Sequence, residues 1–262
     1  MTTLHARTAL ITGSTSGIGL AVAQALAQEG CNIMINGFGE ADAIAGLCRK
    51  IGDEHGVDIR HHGADMAQPD EIETCIADTL DAFGHIDILV NNAGVQHTAP
   101  VDEFPSGQWD RIIAINLSAA FHTARLALPA MRESGWGRII NMSSAHGLVG
   151  NLQRVAYISA KHGLMGLTKV IALETAEENI TCNAICPGMV KTPLMDKLIG
   201  DYGAEHGLSD DAAAAAIMSV KQPSKKLIAP EHIGALAVFL CQPAGEQITG
   251  AALPIDGGWT VQ

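Results

Sequence analysis

Aromatic side chains are scarce. Phe, Trp and Tyr together make up 4% of the chain. The core must then be built from small and branched aliphatic residues, a composition that suits parallel strands covered by helices. Basic residues are also few: 16 Lys and Arg stand against 28 Asp and Glu, for a net charge of −12. Such a surface argues against nucleic acid or an anionic membrane as partner. No apolar run approaches a membrane span, and the N-terminus has no signal-peptide apolar region. A soluble, cytoplasmic protein is expected. The six cysteines, Cys31, Cys48, Cys75, Cys182, Cys186 and Cys241, form no C-x-x-C pair. They read as packed thiols, not as a disulfide framework. His61-His62 has no carboxylate or thiol at ligand spacing, so no metal site is expected. No Pro/Ser/charge-rich stretch divides the chain, so one domain is expected over residues 1–262.

A glycine-rich turn is present near the start. Thr8-Ala9-Leu10-Ile11 suits a buried strand. Thr12-Gly13-Ser14-Thr15-Ser16-Gly17-Ile18-Gly19 follows, and then an alanine-rich amphipathic stretch. A glycine turn between a strand and a helix N-terminus presents backbone N–H groups and the helix dipole to a pyrophosphate. The second feature is Tyr157-Ile158-Ser159-Ala160-Lys161, with Ser144 thirteen residues upstream of the tyrosine. A Tyr and a Lys four apart share a helix face. An ammonium nearby would favour the phenolate and make the tyrosine a general acid/base. Many ordinary helices carry that spacing, so its weight comes from the turn upstream.

Strands are predicted at 7–12, 32–36, 58–62, 87–90, 138–142, 180–185 and 251–255. Helices are predicted at 17–29, 40–54, 69–83, 108–133, 155–178 and 230–241. This alternation implies an α/β fold: a doubly wound, Rossmann-type parallel sheet with helices on both faces. Residues 193–225 interrupt the alternation with short helices.

Taken in order, T-G-x-x-x-G-I-G, Asn91-Asn92-Ala93-Gly94, Asn116, Ser144, Tyr157-x-x-x-Lys161 and Pro187-Gly188 resemble the short-chain dehydrogenase/reductase signature. The resemblance covers essentially the whole chain. It implies that Tyr157 is the acid/base and that Lys161 lowers its pKa while holding the nicotinamide ribose. Ser144 would polarise the substrate oxygen, and Asn116 would carry a water linking Lys161 to solvent. Cofactor contacts are implied at Gly13, Thr15, Ser16, Gly17, Ile18, Gly19, Asn92, Ala93, Gly94, Pro187, Gly188, Val190 and Thr192. Asp65 would accept from the adenine amine, with Met66 beside it; its plainer reading is a strand-end turn. The second strand ends in Asn36-Gly37-Phe38-Gly39 and lacks the acidic residue of many NAD enzymes. It also lacks any Lys or Arg for a 2′-phosphate, so NAD is expected, with Asn36 and Phe38 against the adenosine. Residues 193–225 would be a mobile helical substrate lid.

Within the family, the residues flanking Tyr157 resemble those of D-3-hydroxybutyrate dehydrogenases. That resemblance implies a carboxylate clamp of Gln96, His146 and Arg154, the last standing where a lysine is usual. Met189 and Leu198 replace a lid tryptophan and a lid glutamine, and Trp259 completes the wall. Read singly, Gln96 could be a surface residue, His146 a packing residue and Arg154 a solvated helix start. The expected substrate is a short 3-hydroxy acid. Alternatives are another ketone, a sugar alcohol or a 3-oxoacyl thioester, or a dinucleotide-sensing protein without catalysis. The apolar excess on helices 108–133 and 155–178 suggests subunit contacts, and family members usually form tetramers.

Overall fold

The computed structural model describes residues 4–261. Seven strands form the sheet: β1 (Thr8–Ile11), β2 (Asn32–Asn36), β3 (Ile59–His62), β4 (Ile88–Asn91), β5 (Gly137–Met142), β6 (Ile180–Pro187) and β7 (Ala252–Ile255). Their order is β3-β2-β1-β4-β5-β6-β7, and every pair is parallel. Strands β1, β4, β5 and β6 are buried along their whole length, as a sheet covered on both faces requires. The chain winds outward from β1 to β3 and then returns to lay β4 on the other side of β1. That reversal opens a crevice at the C-terminal ends of β1 and β4, where doubly wound sheets bind ligands.

The helices are α1 (Gly17–Gln28), α2 (Ala41–His55), α3 (Pro69–Phe83), α4 (Ser106–Ile113), α5 (Ala119–Ser134), α6 (Val155–Glu174), α7 (Pro193–His206), α8 (Asp210–Lys221) and α9 (Pro230–Cys241). One core cluster joins Val22 and Leu26 of α1 and Ile233 and Leu240 of α9 to Ile33, Ile35 and Val90 of the sheet. A second joins Ile72 and Ile76 of α3 and Ala124 and Met131 of α5 to Leu10, Met34, Leu89 and Ile139. Neighbouring strand residues feed opposite clusters, as the two-residue side-chain period dictates.

Three expectations change. The helix predicted at 155–178 ends at Glu174. The one predicted at 108–133 runs from Ser106 to Ser134, but through a π-helical turn at Ala114–Ser118 that joins α4 to α5. The continuous helix has a mean hydropathy of 1.2 in its most apolar stretch. By length and composition alone it is long and apolar enough to cross a membrane, which corrects the expectation that no segment approaches a span. Half of that stretch is buried inside the protein, and Thr123 Oγ1 donates to Asn91 Oδ1 of β4 at 2.6 Å.

The glycine turn follows β1 closely. Gly13 has φ +62°, a left-handed conformation that glycine adopts without strain. A Cβ on Gly19 would come within 2.5 Å of both Asn92 Nδ2 and Gly13 O. Gly19→Ala is expected to push the turn off β4. Overpacking of this kind costs about 1–3 kcal/mol. A lower midpoint in urea together with weakened NADH binding by fluorescence would bear this out; unchanged values for both would show that the turn tolerates the methyl.

Candidate active site

The crevice at the C-terminal ends of β1 and β4 is lined by Gly13, Thr15, Ser16, Gly17 and Ile18 of the glycine turn. Asn36 and Phe38 after β2, Asp65 and Met66 after β3, Asn92, Ala93 and Gly94 after β4, and Thr192 complete the expected set that faces it. Gly19 lies behind this wall, where it makes room for the Asn92 amide. Thr192 faces Gly17 across the cleft: a Cβ on Gly17 would stand 3.5 Å from Thr192 Cγ2. Thr192 Oγ1 also accepts from Met195 N, capping α7. Residues unforeseen from sequence line it too, among them Val95, Ile115 and Arg111. Arg111 is the only Lys or Arg among the described residues on this wall, and it arrives from α4, remote in sequence from the ribose turn.

Side chains expected to touch the cofactor prove to hold the turn itself. Asn36 is 1% exposed, and its Nδ2 donates to His62 O and Ala64 O at 3.0 and 2.9 Å. Its Oδ1 accepts from Gly13 N at 3.2 Å. Both of its N–H groups are spent on these carbonyls, so what it can offer an adenosine ribose is the remaining acceptor capacity of Oδ1. Asn92 Nδ2 likewise donates to Thr12 O and Gly13 O, at 2.9 and 2.8 Å. Thr12 Oγ1, which sequence reasoning passed over, accepts from the backbone N–H groups of Asn92 and Ala93, each at 3.0 Å. Phe38 is 65% exposed, and Asp65 Oδ1 accepts from Ala67 N at 2.9 Å.

Ser144, Tyr157 and Lys161 gather beside this cleft. Lys161 is buried, and its Nζ donates to Met142 O of β5 at 2.7 Å. The same Nζ lies 5.6 Å from the centre of the Tyr157 ring. Burial pulls the Lys161 ammonium down to about 8. Burial pushes the Tyr157 phenol up, while a hydrogen bond with Ser144 and the charge of Arg154 pull it down. Lys161 stands beside this phenol, as the shared helix face requires. Its ammonium is turned to a backbone carbonyl, and Ser144 and Arg154 are the groups that favour the phenolate. Asn116 lies in the π turn with Oδ1 accepting from Val95 N and Nδ2 donating to Val95 O, both at 2.9 Å. Its side chain is first a staple on Val95, and any water it carries must use what hydrogen-bonding capacity remains. A Cβ on Gly94 would stand 3.6 Å from Asn116 Oδ1 and 3.7 Å from Lys161 Nζ, so the bare backbone there keeps both within reach of the cleft.

A second polar group surrounds Tyr157. His146 is buried in a 3-10 turn, Ala145–Gly147, started by Ser144, whose Oγ accepts from His146 N at 3.1 Å. Its ring stands edge-on to Tyr157 and to Trp259, with centroids 6.0 and 4.8 Å away. Arg154 Nη1 donates to Gln96 Oε1. Trp259 is carried on a turn that Asp256 holds through Gly258 N and through both Thr260 N and Oγ1. Lys221, a cation that sequence reasoning missed, has its Nζ 5.5 Å from the centre of the Trp259 ring. Pro187 and Gly188 end β6, and Gly188 N donates to Ile255 O. Met189 is buried, its N–H donating to Gln222 Oε1 at 2.8 Å. Val190 is buried and bridges to Ile228. Leu198 lies partly exposed on α7. Neither Pro187, Gly188, Val190 nor Leu198 is among the residues lining the dinucleotide cleft. No group of three or more metal-ligating side chains occurs among the described residues.

Comparison with known proteins agrees with this geometry. The short chain dehydrogenase family model matches residues 7–202. The chain is 51% identical over 259 residues to a D-beta-hydroxybutyrate dehydrogenase of Cupriavidus necator, covering 99% of this chain and 100% of that one. It is 50% identical over 256 residues to a D-beta-hydroxybutyrate dehydrogenase of Rhizobium meliloti, covering 98% and 99%. Among solved structures, the L-sorbose reductase of Gluconobacter frateurii, complexed with NADPH and L-sorbose, matches with a TM-score of 0.94 at 30% identity over 98% of both chains. An actinorhodin polyketide ketoreductase with NADPH matches with a TM-score of 0.91 at 32% identity over the whole of both chains.

The buried lysine gives a testable pH dependence. Folding lowers its pKa from 10.5 to about 8. Between those values the unfolded chain holds the proton and the folded one does not, so stability rises with pH. Below about pH 8 the full penalty for burying the charge is present. Lys161→Met should therefore match or exceed the Tm of the dinucleotide-free protein at pH 7. The gap should close as pH rises from about 8 to 10.5. A variant destabilised equally across that range would show that the ammonium is well solvated in place.

Proposed function

Because the chain belongs to the short-chain dehydrogenase/reductase family, we propose that its reaction is the NAD-dependent interconversion of D-3-hydroxybutyrate, or a close short 3-hydroxy acid, and acetoacetate. The family's cofactor is a nicotinamide dinucleotide. The cleft between the glycine turn and Thr192 fits such a group: it opens at the N-terminal end of α1, and Gly13, Gly17 and Gly94 line it without side chains to fill it. When bound, the dinucleotide gives or takes a hydride at its nicotinamide.

The protein's own residues supply the rest. In the oxidising direction Tyr157 takes the hydroxyl proton at its phenolic oxygen; in the reducing direction it returns that proton to the carbonyl. Ser144 holds both the phenol and the substrate oxygen in line. Lys161, with Asn116 behind it, faces the ribose side and resupplies the proton. The single observation that carries the substrate reading is the Gln96–Arg154–His146 group around Tyr157. Arg154 bonds Gln96, and its charge bears on both His146 and Tyr157. A cation with a planar fork, next to neutral donors and beside an acid/base, suits a carboxylate two carbons from the reacting one. The 50–51% identity to two D-beta-hydroxybutyrate dehydrogenases supports the same reading. Met189 and Leu198 would form the apolar wall for the rest of the acid. Residues 193–225, which hold α7 and α8, would act as the lid that excludes water. Exposed Phe121 on α5 and Val170 and Leu173 on α6 support subunit contacts through those helices, and so a tetramer.

Two measurements test this reading. Arg154→Ala should lower kcat/KM for 3-hydroxybutyrate by about 10- to 150-fold, the worth of one charge-assisted hydrogen bond. The methyl ester should be affected far less. Equal losses for acid and ester would remove the clamp and leave a neutral-ketone or sugar-alcohol reductase as the better account. For the cofactor, kcat/KM should favour NAD over NADP, and Phe38→Arg should shift the balance toward NADP. Equal use of both by the wild type would point to Arg111 as a phosphate partner.

A further inference from the structure

The loop between His146 and Arg154 contains a hydrogen-bond chain whose directions can be read unambiguously. Leu152 N donates to Asn151 Oδ1 at 2.9 Å. A backbone N–H can only donate, so the oxygen of the Asn151 amide faces Leu152 and its NH2 faces the other way. That NH2 lies 3.2 Å from His146 Nε2. An amide NH2 can only donate, so Nε2 must accept. A neutral imidazole has one acceptor and one donor nitrogen, and the proton therefore sits on Nδ1. Among the described residues this is the one hydrogen bond that the His146 ring makes, which leaves Nδ1–H for whatever lies beside Tyr157 and Trp259.

We propose that Asn151 is a positioning residue that locks His146 in its Nδ1–H tautomer, so that the ring meets the substrate carboxylate as a hydrogen-bond donor and never as an acceptor. The proposal rests on the hydroxy-acid reading above for the identity of the acceptor, but not for the tautomer. The charges around the ring agree with it. Burial lowers His146 to about 4, and Arg154 at the start of α6 and Lys221 at the end of α8 push in the same direction. From α6, Tyr157 faces the ring and Lys161 is turned away to Met142 O. The C-terminal turn contributes the uncharged Trp259. Between two cations the ring stays neutral through the physiological range, and a neutral ring is a donor only if its tautomer is fixed. An Nε2–H tautomer would set an Nδ1 lone pair against the carboxylate.

The test uses the whole enzyme with 15N-labelled histidine, the His146 signal being assigned by its loss in His146→Gln. Solid-state NMR should show a pyrrole-type Nδ1 and a pyridine-type Nε2 in the wild type; the reverse pattern overturns the proposal whatever the substrate is. Asn151→Asp keeps an oxygen for Leu152 N but replaces the donor by an acceptor, so it should draw the proton to Nε2. At pH 8 its kcat/KM for 3-hydroxybutyrate, relative to the wild type at the same pH, should fall about tenfold or more, mostly through KM, and recover toward pH 5.5, because the new carboxylate beside Nε2 raises the ring pKa in this variant and a protonated ring donates from both nitrogens. In a His146→Gln background the same substitution should cost less than about threefold, because the residue it acts through is gone. A loss equal in both backgrounds, or one that does not recover at low pH, would mean that the new charge simply repels the acid, and would overturn the positioning role. If the wild-type tautomer is Nδ1–H but His146→Gln impairs acid and methyl ester alike, the tautomer lock stands and the hydroxy-acid reading falls.

Discussion

The glycine turn after β1 must stay tight against the ends of β2 and β4, and the rest of the site depends on that constraint. Nothing in the turn's own sequence guarantees it, since glycines are free to adopt many conformations. Three side chains from neighbouring strands remove the freedom. Asn36 from β2 and Asn92 and Thr12 from the ends of β4 and β1 form a web of hydrogen bonds around Gly13. Each donor and acceptor in that web is buried or nearly so, where an unmade hydrogen bond is expensive. The web also crosses the switch point of the sheet, so the crevice and the turn are set by the same contacts.

Burial then controls the acid/base chemistry. An acidic protein keeps Lys161, Arg154 and Lys221 close to the reacting phenol, each in a different way. Lys161 is buried and rests on a strand carbonyl. Arg154 pairs with a glutamine at the helix start. Lys221 stands near the face of Trp259. Burial pushes the phenol up and pulls the ammonium down to about 8, so without the dinucleotide both groups favour their neutral forms more than they would in water.

Most of the architecture was legible in the sequence. Apolar runs located the strands covered on both faces to within about two residues, because such a strand must be apolar throughout; β3, with Arg60, His61 and His62, is a half-exposed edge strand. The glycine turn was legible through its context, and the Tyr157/Lys161 pair through helical spacing. The π turn at Ala114–Ser118 was not legible, since one extra residue per turn leaves no mark on a hydrophobic pattern. The helix through it was placed to within about two residues at each end, 108–133 against Ser106–Ser134, because its apolar excess was visible.

The sequence by itself determined the alternating fold, the turn, and which residues had the chemistry for catalysis. Only the tertiary structure decided which of those residues were free to use it. Asn36 had the right chemistry for a ribose but spends its N–H groups on β3 and the loop after it. Lys161 had the charge to lower Tyr157 but points that charge at Met142 O. Arg111 and Lys221 had no motif to mark them and reach the site from α4 and α8. The reason is physical. A hydrogen-bonding group has a fixed number of partners, and long-range packing assigns them; sequence order records the groups but not the assignment.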